Sequence, residues 1–284
     1  MPELIKNLLG HSGCNLNLYK EEDRIFLRKD AGNANYNRRL KKQFIKQKKF
    51  NLEKVKTPRI FEYGINNKGI FYFDMEYING ITLSEYMKQI KIKEIVDLIT
   101  LLFESLPIKQ GGYFDRAQNI FQHKISDLET ILDTSDINIK QSLDLLKKYD
   151  FSKVPQSSCC GDLTLENIII NMRGEIYVID LLDSFYNSWM IDVAKLLQDV
   201  ELGWSYRKQV RDFGLNLRLA TAKQALFDNI LSLDEGQTYL VTIYHILLLN
   251  ILRIYPYAKD KLTLDFLDNS ILQIFENIKN LKGK

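Results

Sequence analysis

Cysteine, histidine and tryptophan are scarce in this chain: three, three and two among 284 residues. Three cysteines cannot build a disulfide framework, and the adjacency of Cys159 and Cys160 disfavours a bridge between them. With no CxxC pair and so few histidines, a structural zinc site is not expected. This cysteine usage fits a reducing cytoplasm. No basic stretch leading into an apolar one opens the sequence, so no secretory signal is expected. Internal repeats and low-complexity tracts are also missing.

Long uncharged runs are nearly absent too. The exception is "TYLVTIYHILLLNILRIY", Thr238 to Tyr255, with no charge before Arg253. That run approaches the length of a membrane span. Two threonines, His245 and Asn250 interrupt it, and a helix apolar nearly all round also suits the centre of a large helical domain. A buried helix and no membrane span are expected, with His245 a hydrogen-bonded core residue.

The composition, 45% hydrophobic and 26% charged, is that of a folded soluble protein. The length suffices for one large domain or two lobes. Charge is spread unevenly. Residues 1–60 hold 15 basic and 6 acidic residues, an excess of nine, whereas the rest carries 24 and 30, a deficit of six. Much of the excess lies in "RRLKKQFIKQKKFNLEKVK", Arg38 to Lys56. It reads as an amphipathic helix with Leu40 and Phe44 on one stripe and lysines facing water. It lacks the interleaved aromatics that stacking on single strands requires, so no nucleic-acid partner is expected.

Along the chain, the first 80 residues read as short strands and turns around that one helix. From Ser84 the apolar spacing becomes helical, with "TLSEYM" as a cap. The helical part is interrupted once, by "CCGDLTLENIIINMRGEIYVID", Cys159 to Asp180. There Asp162 precedes Asn167 by five positions, and two apolar runs flank the turn Asn171–Gly174, which predicts a hairpin. Folding about that turn sets Val178 opposite Asn167 and brings Asp180 near. Two carboxylates and an amide converging at one end of a hairpin suit a hard divalent cation such as Mg²⁺.

These residues resemble the catalytic and metal-binding elements of the protein-kinase-like fold: D-x-x-x-x-N, strand, turn, strand, Asp. Its other parts follow in order. "LGHSGCNLNLY" looks like the glycine-containing loop over the nucleotide phosphates, "IFLRK" like the strand bearing the ATP lysine, and "FDMEYING" like the link between lobes. The likeness runs from about Leu8 to Asp199. Thr164 stands where protein kinases carry a lysine, there is no A-P-E, and Asp180 and Asp192 are too close for a long activation segment. "YVIDLLDSFYNSWMIDVAKLLQD" instead is similar to the aminoglycoside phosphotransferase and choline kinase branch.

The resemblance implies an α+β, bilobal protein-kinase-like fold: a small antiparallel N-lobe, residues 1–79, and a larger helical C-lobe, residues 80–284. It also implies transfer of the γ-phosphate of ATP, with Mg²⁺, to a hydroxyl of a small molecule. Asp162 would be the base; Asn167 and Asp180 would hold the metal. Lys29, or its neighbour Arg28, would meet the phosphates, since strand alternation lets only one of them face inward. Gly10, Ser12 and Gly13 would offer backbone N–H groups to the phosphates, and Glu76, Tyr77 and Ile78 backbone groups to adenine. Asp192 would brace the catalytic loop.

Three departures bear on this. Cys160 replaces the usual histidine. The basic helix lacks a glutamate for Lys29, leaving Gln43 or Gln47 to hydrogen-bond it. Leu-Leu follows Asp180 in place of an aromatic residue and glycine. The alternative is accordingly a pseudokinase, a nucleotide-binding or scaffolding module without catalysis. The acceptor stays open among sugars, amino alcohols and aminoglycosides. The acidic second lobe suits a cation, and Tyr186, Trp189, Trp204 and Tyr206 offer either an ammonium box or core packing. The richness in Lys, Asn and Ile points to an AT-rich bacterial genome.

Overall fold

Alternation of apolar and polar residues between turn-forming pairs makes strands of the first part of the chain. The computed structural model describes residues 2–8, 13–110 and 112–282. Five strands, β1 (Glu3–Leu8), β2 (Asn15–Glu21), β3 (Arg24–Asp30), β4 (Ile60–Ile65) and β5 (Phe71–Glu76), form an antiparallel sheet in the order β1-β2-β3-β5-β4. A two-residue loop, Glu22-Asp23, joins β2 to β3, with Glu22 at φ +54°. Helix α1 (Asn37–Lys49) lays Leu40 and Phe44 on Phe71, Phe73 and Met75 of β5. Stripe and strand are apolar at spacings of 3.6 and 2, so the two surfaces match.

A three-stranded sheet follows in the same unit: β6 (Gly80–Thr82), β9 (Ile168–Asn171) and β10 (Ile176–Val178), in the order β10-β9-β6. Glycine is required at position 80, because a Cβ there would lie 2.3 Å from the Ile170 carbonyl oxygen. The hairpin register differs from the expected one by a single residue. Val178 pairs with Ile168, not with Asn167. The loop holds three residues, not two: Gly174 adopts φ +76°, and Asn171 Oδ1 accepts from the N–H groups of Arg173 and Glu175. A type I turn closed by a left-handed glycine needs that extra residue.

By their contacts, residues Met1–Thr82 and Asn167–Asp183 form one compact unit, and Leu83–Glu166 with Ser184–Lys284 form a second. The second is helical: α2 (Leu83–Tyr86), α3 (Ile92–Glu104), α4 (Ala117–Glu129), α5 (Ile137–Lys148), α6 (Trp189–Val200), α7 (Phe213–Leu231), α8 (Gly236–Leu252) and α9 (Lys261–Lys282). Two short strands, β7 (Gly112–Tyr113) and β8 (Pro155–Gln156), pair within it. The helical pattern from Ser84 breaks between α2 and α3, where Met87 and Ile90 are buried and Arg218 takes the Ile90 carbonyl.

Helix α8 carries the long apolar run and is the centre of this unit, packing on α5, α6, α7 and α9. Residues Ile243 to Leu252 are buried without interruption, which explains why the helix is apolar on every side. Its apolar stretch is long enough to cross a membrane, yet 67% of it is buried within the fold. His245 is a core residue: its Nδ1 meets the Val241 carbonyl, and its ring stacks on Tyr149 at 3.6 Å.

Candidate active site

In the first unit, strand alternation separates Arg28 from Lys29. Arg28 forms a two-pronged pair with Asp74, both contacts 2.7 Å, while the opposite face carries Lys29, whose Nζ donates to Asp180 Oδ1 at 2.6 Å. Lys29 is 8% exposed. A lysine this buried needs a charged or strongly polar partner, because desolvation disfavours the ammonium form.

Asp180 follows β10 and is, among the described residues, one of two non-glycine residues with positive φ, +53°. A left-handed backbone costs a non-glycine residue about 1–2 kcal/mol, least for Asp and Asn. Here it turns the chain sharply at the carboxylate. Asn167 immediately precedes β9, and its carbonyl accepts from Ile179 N–H at 2.9 Å, so the hairpin sets Asn167 beside the residue preceding Asp180. An amide and a carboxylate are hard oxygen donors of the kind Mg²⁺ takes, with phosphates and water completing its shell. Among the described residues, no group of three or more His, Cys, Asp or Glu is placed to hold a metal by itself. Asn167 and Asp180 supply one such oxygen donor each.

Two lysines of the basic helix reach the segment after Asp180. Lys42 pairs with Asp183 at 2.7 Å, and Lys46 donates to the Leu182 carbonyl. Helix α1 thus fastens the segment after Asp180, while Leu181 is buried. Gln47 donates to the Pro58 carbonyl and Met75 sulfur. Gln43, 3% exposed, has neither amide atom hydrogen-bonded. Of the two candidate partners for Lys29, only Gln43 is uncommitted.

Gly13 is exposed, and a Cβ there would meet the Tyr36 ring at 3.0 Å. Gly10 and Ser12 lie outside the described residues. The N–H of Glu76 is spent on the Arg59 carbonyl, and its side chain accepts from Arg59. Tyr77 is partly exposed and Ile78 buried.

In the second unit, Asp162 lies on a loop held by carboxylates from α6. Asp192, fully buried, accepts from the N–H groups of Cys160 at 2.6 Å and Gly161 at 2.8 Å. Gly161 takes φ +86°, which orients the following Asp162. Asp199 accepts from Leu165 N–H at 2.6 Å and Ser205 N–H at 2.7 Å. Burial pushes the Asp199 carboxyl up to about 6, against the lowering effect of those hydrogen bonds. Cys160 is a buried thiol in this loop.

Sequence reasoning missed Lys195, whose Nζ is 3.1 Å from Asp162 Oδ1. The signal was there: Lys195 follows Asp192 by three, which places both on one face of α6. The four aromatics make no box. Trp189, Tyr206 and Tyr186 are buried, the hydroxyls of the last two donate to the Ser84 and Val154 carbonyls, and Arg207 covers the Trp204 ring at 3.8 Å.

Solved structures place this architecture. The crystal structure of aminoglycoside phosphotransferase APH(4)-Ia matches 98% of this chain over 93% of its own, with TM-score 0.65 and 12% identity. A thermostable mutant of it, in ternary complex with ADP and hygromycin B, matches equally well. Choline kinase LicA from Streptococcus pneumoniae matches 96% of this chain over 94% of its own, with TM-score 0.57 and 17% identity. No protein-family model matches the sequence, and no curated protein sequence does. The chain has the protein-kinase-like fold, in the form shared by these small-molecule kinases.

Proposed function

We propose that this chain is an ATP- and Mg²⁺-dependent phosphotransferase acting on a hydroxyl of a small molecule, a sugar, an amino alcohol or an aminoglycoside, in the cytoplasm. The observation that carries the reading is the ion pair between buried Lys29 and the partly exposed Asp180. A lysine held on a carboxylate at the base of a hairpin that also bears Asn167 is a site prepared for phosphate and its metal.

Lys29 would pair with the phosphates, and Asp180 and Asn167 would hold the metal. Mg²⁺, when bound, offsets phosphate charge and fixes the phosphates in place. The backbone N–H groups of Gly13, and of Gly10 and Ser12 outside the described residues, would serve the phosphates, and the backbone of Glu76 to Ile78 would serve adenine. Asp162 orients the acceptor hydroxyl and takes its proton as the oxygen bonds to the γ-phosphorus. The bond from that phosphorus to the bridging oxygen breaks, and ADP leaves. Such transfer asks the protein mainly for alignment and charge, and the anchored loop around Asp162 supports that role.

The test is a thermal-shift titration with ATP, with and without Mg²⁺, on wild type and Asp180→Asn, combined with ADP release by Asp162→Asn. Ligand at 100 times its Kd stabilises a one-site protein by about 2.7 kcal/mol. A Mg²⁺-dependent shift is expected in wild type and lost in Asp180→Asn. Asp162→Asn should keep the shift and lose turnover. Unchanged turnover in Asp162→Asn, or no shift under any condition, refutes the reading; the latter leaves a scaffold module.

A further inference from the structure

The carboxylate at position 162 does not stand as a bare negative charge. Lys195 approaches it to 3.1 Å, and the two side chains are 14% and 24% exposed. A pair so sheltered is screened less by salt than a surface pair. The other α6 carboxylates that reach this loop, Asp192 and Asp199, are fully buried and committed to backbone N–H groups. Glu166 is exposed, where water screens it.

Resting on the phosphotransfer reading above, we propose that Lys195 sets the charge class of the acceptor: a neutral hydroxyl compound of the sugar or polyol kind, not a cation. An acceptor hydroxyl must come within about 2.6–3.2 Å of Asp162 for the carboxylate to take its proton. A positive group elsewhere on a small acceptor then falls inside the Debye length of about 8 Å from the lysine ammonium. A lone carboxylate would attract that cation. With Lys195 in place the pair is neutral overall, and a cationic acceptor gains nothing from it. Charge counted along the second lobe pointed to cations; the local pair reverses that. Lys195 also limits how far Asp162 can swing, so it is a positioning residue for the base as well.

The experiment measures kcat/KM from ADP release in wild type, Lys195→Met and Lys195→Arg. Neutral acceptors are glucose, ribose and inositol; cationic ones are choline and hygromycin B. Wild type should favour a neutral acceptor. Lys195→Met should lower the neutral-to-cationic ratio by about tenfold, equivalent to about 1.4 kcal/mol, while Lys195→Arg keeps it. A merely structural role would depress all acceptors alike and leave the ratio unmoved. Retention of the Mg²⁺–ATP thermal shift checks that each variant is folded; if Lys195→Met is not, Lys195→Gln replaces it. A wild-type preference for choline or hygromycin B, or an unchanged ratio in the variant, overturns the inference while phosphotransfer stands. Failure of every one of these acceptors to support ADP release overturns the phosphotransfer reading, and this inference with it.

Discussion

Replacing Asp192 by asparagine probes a buried contact of the second unit. The carboxylate is fully buried and accepts two short hydrogen bonds, 2.6 Å from Cys160 N–H and 2.8 Å from Gly161 N–H. Asparagine keeps one acceptor oxygen and presents an NH₂ group where the second was. One backbone donor then faces another donor, and neither reaches water. A hydrogen bond to a charged group contributes about 1.5–3 kcal/mol, and a stranded buried donor costs about 1–3 kcal/mol more. Partial relaxation brings the expected loss to about 3 kcal/mol, read as a shift in the urea midpoint at unchanged slope. The loop that loses its anchor carries Asp162, and misplacing a reacting group by about 1 Å costs about a hundredfold in rate. The proposed Mg²⁺-dependent nucleotide shift would rest on Lys29, Asn167 and Asp180 in the other unit, so it should persist. A loss under about 1 kcal/mol with normal turnover would refute the bracing argument.

Gln43→Leu should stabilise the nucleotide-free protein by about 1–3 kcal/mol, since it removes a buried amide with no hydrogen bond; a lower melting temperature would mean the amide is satisfied. The same variant should weaken nucleotide binding if Gln43 partners Lys29 once Asp180 turns away, which a titration without Mg²⁺ measures. Asp199 gives a pH dependence of defined sign. Its folded value, about 6, lies above the ordinary 3.8, so between those values the folded chain alone holds the proton. Its contribution to stability is full below about pH 4 and lost as pH rises through 6, about 3 kcal/mol in all. Asp199→Asn should therefore flatten the rise in stability on acidification across that window, and equal slopes for variant and wild type would refute it.

Much of this was legible along the chain. Periodicities of 2 and 3.6 marked the sheet and helices, and Asp162, Asn167 and Asp180 stood out because motif spacing is a local, covalent property. Where two choices differed only in what they faced, the sequence was mute. Arg28 and Lys29 both belong to β3, and only the positions of Asp74 and Asp180 across the fold distinguish them. Gln43 and Gln47 share a helical face, yet the Pro58 carbonyl and Met75 sulfur engage only the second. The hairpin was predicted one residue out of register, because the left-handed state of Gly174 is set by closing the loop. Lys195 is 33 positions from Asp162 in the chain. Asp192 and Asp199 hold α6 against the loop that carries Asp162, and such long-range contacts follow from how apolar faces pack together.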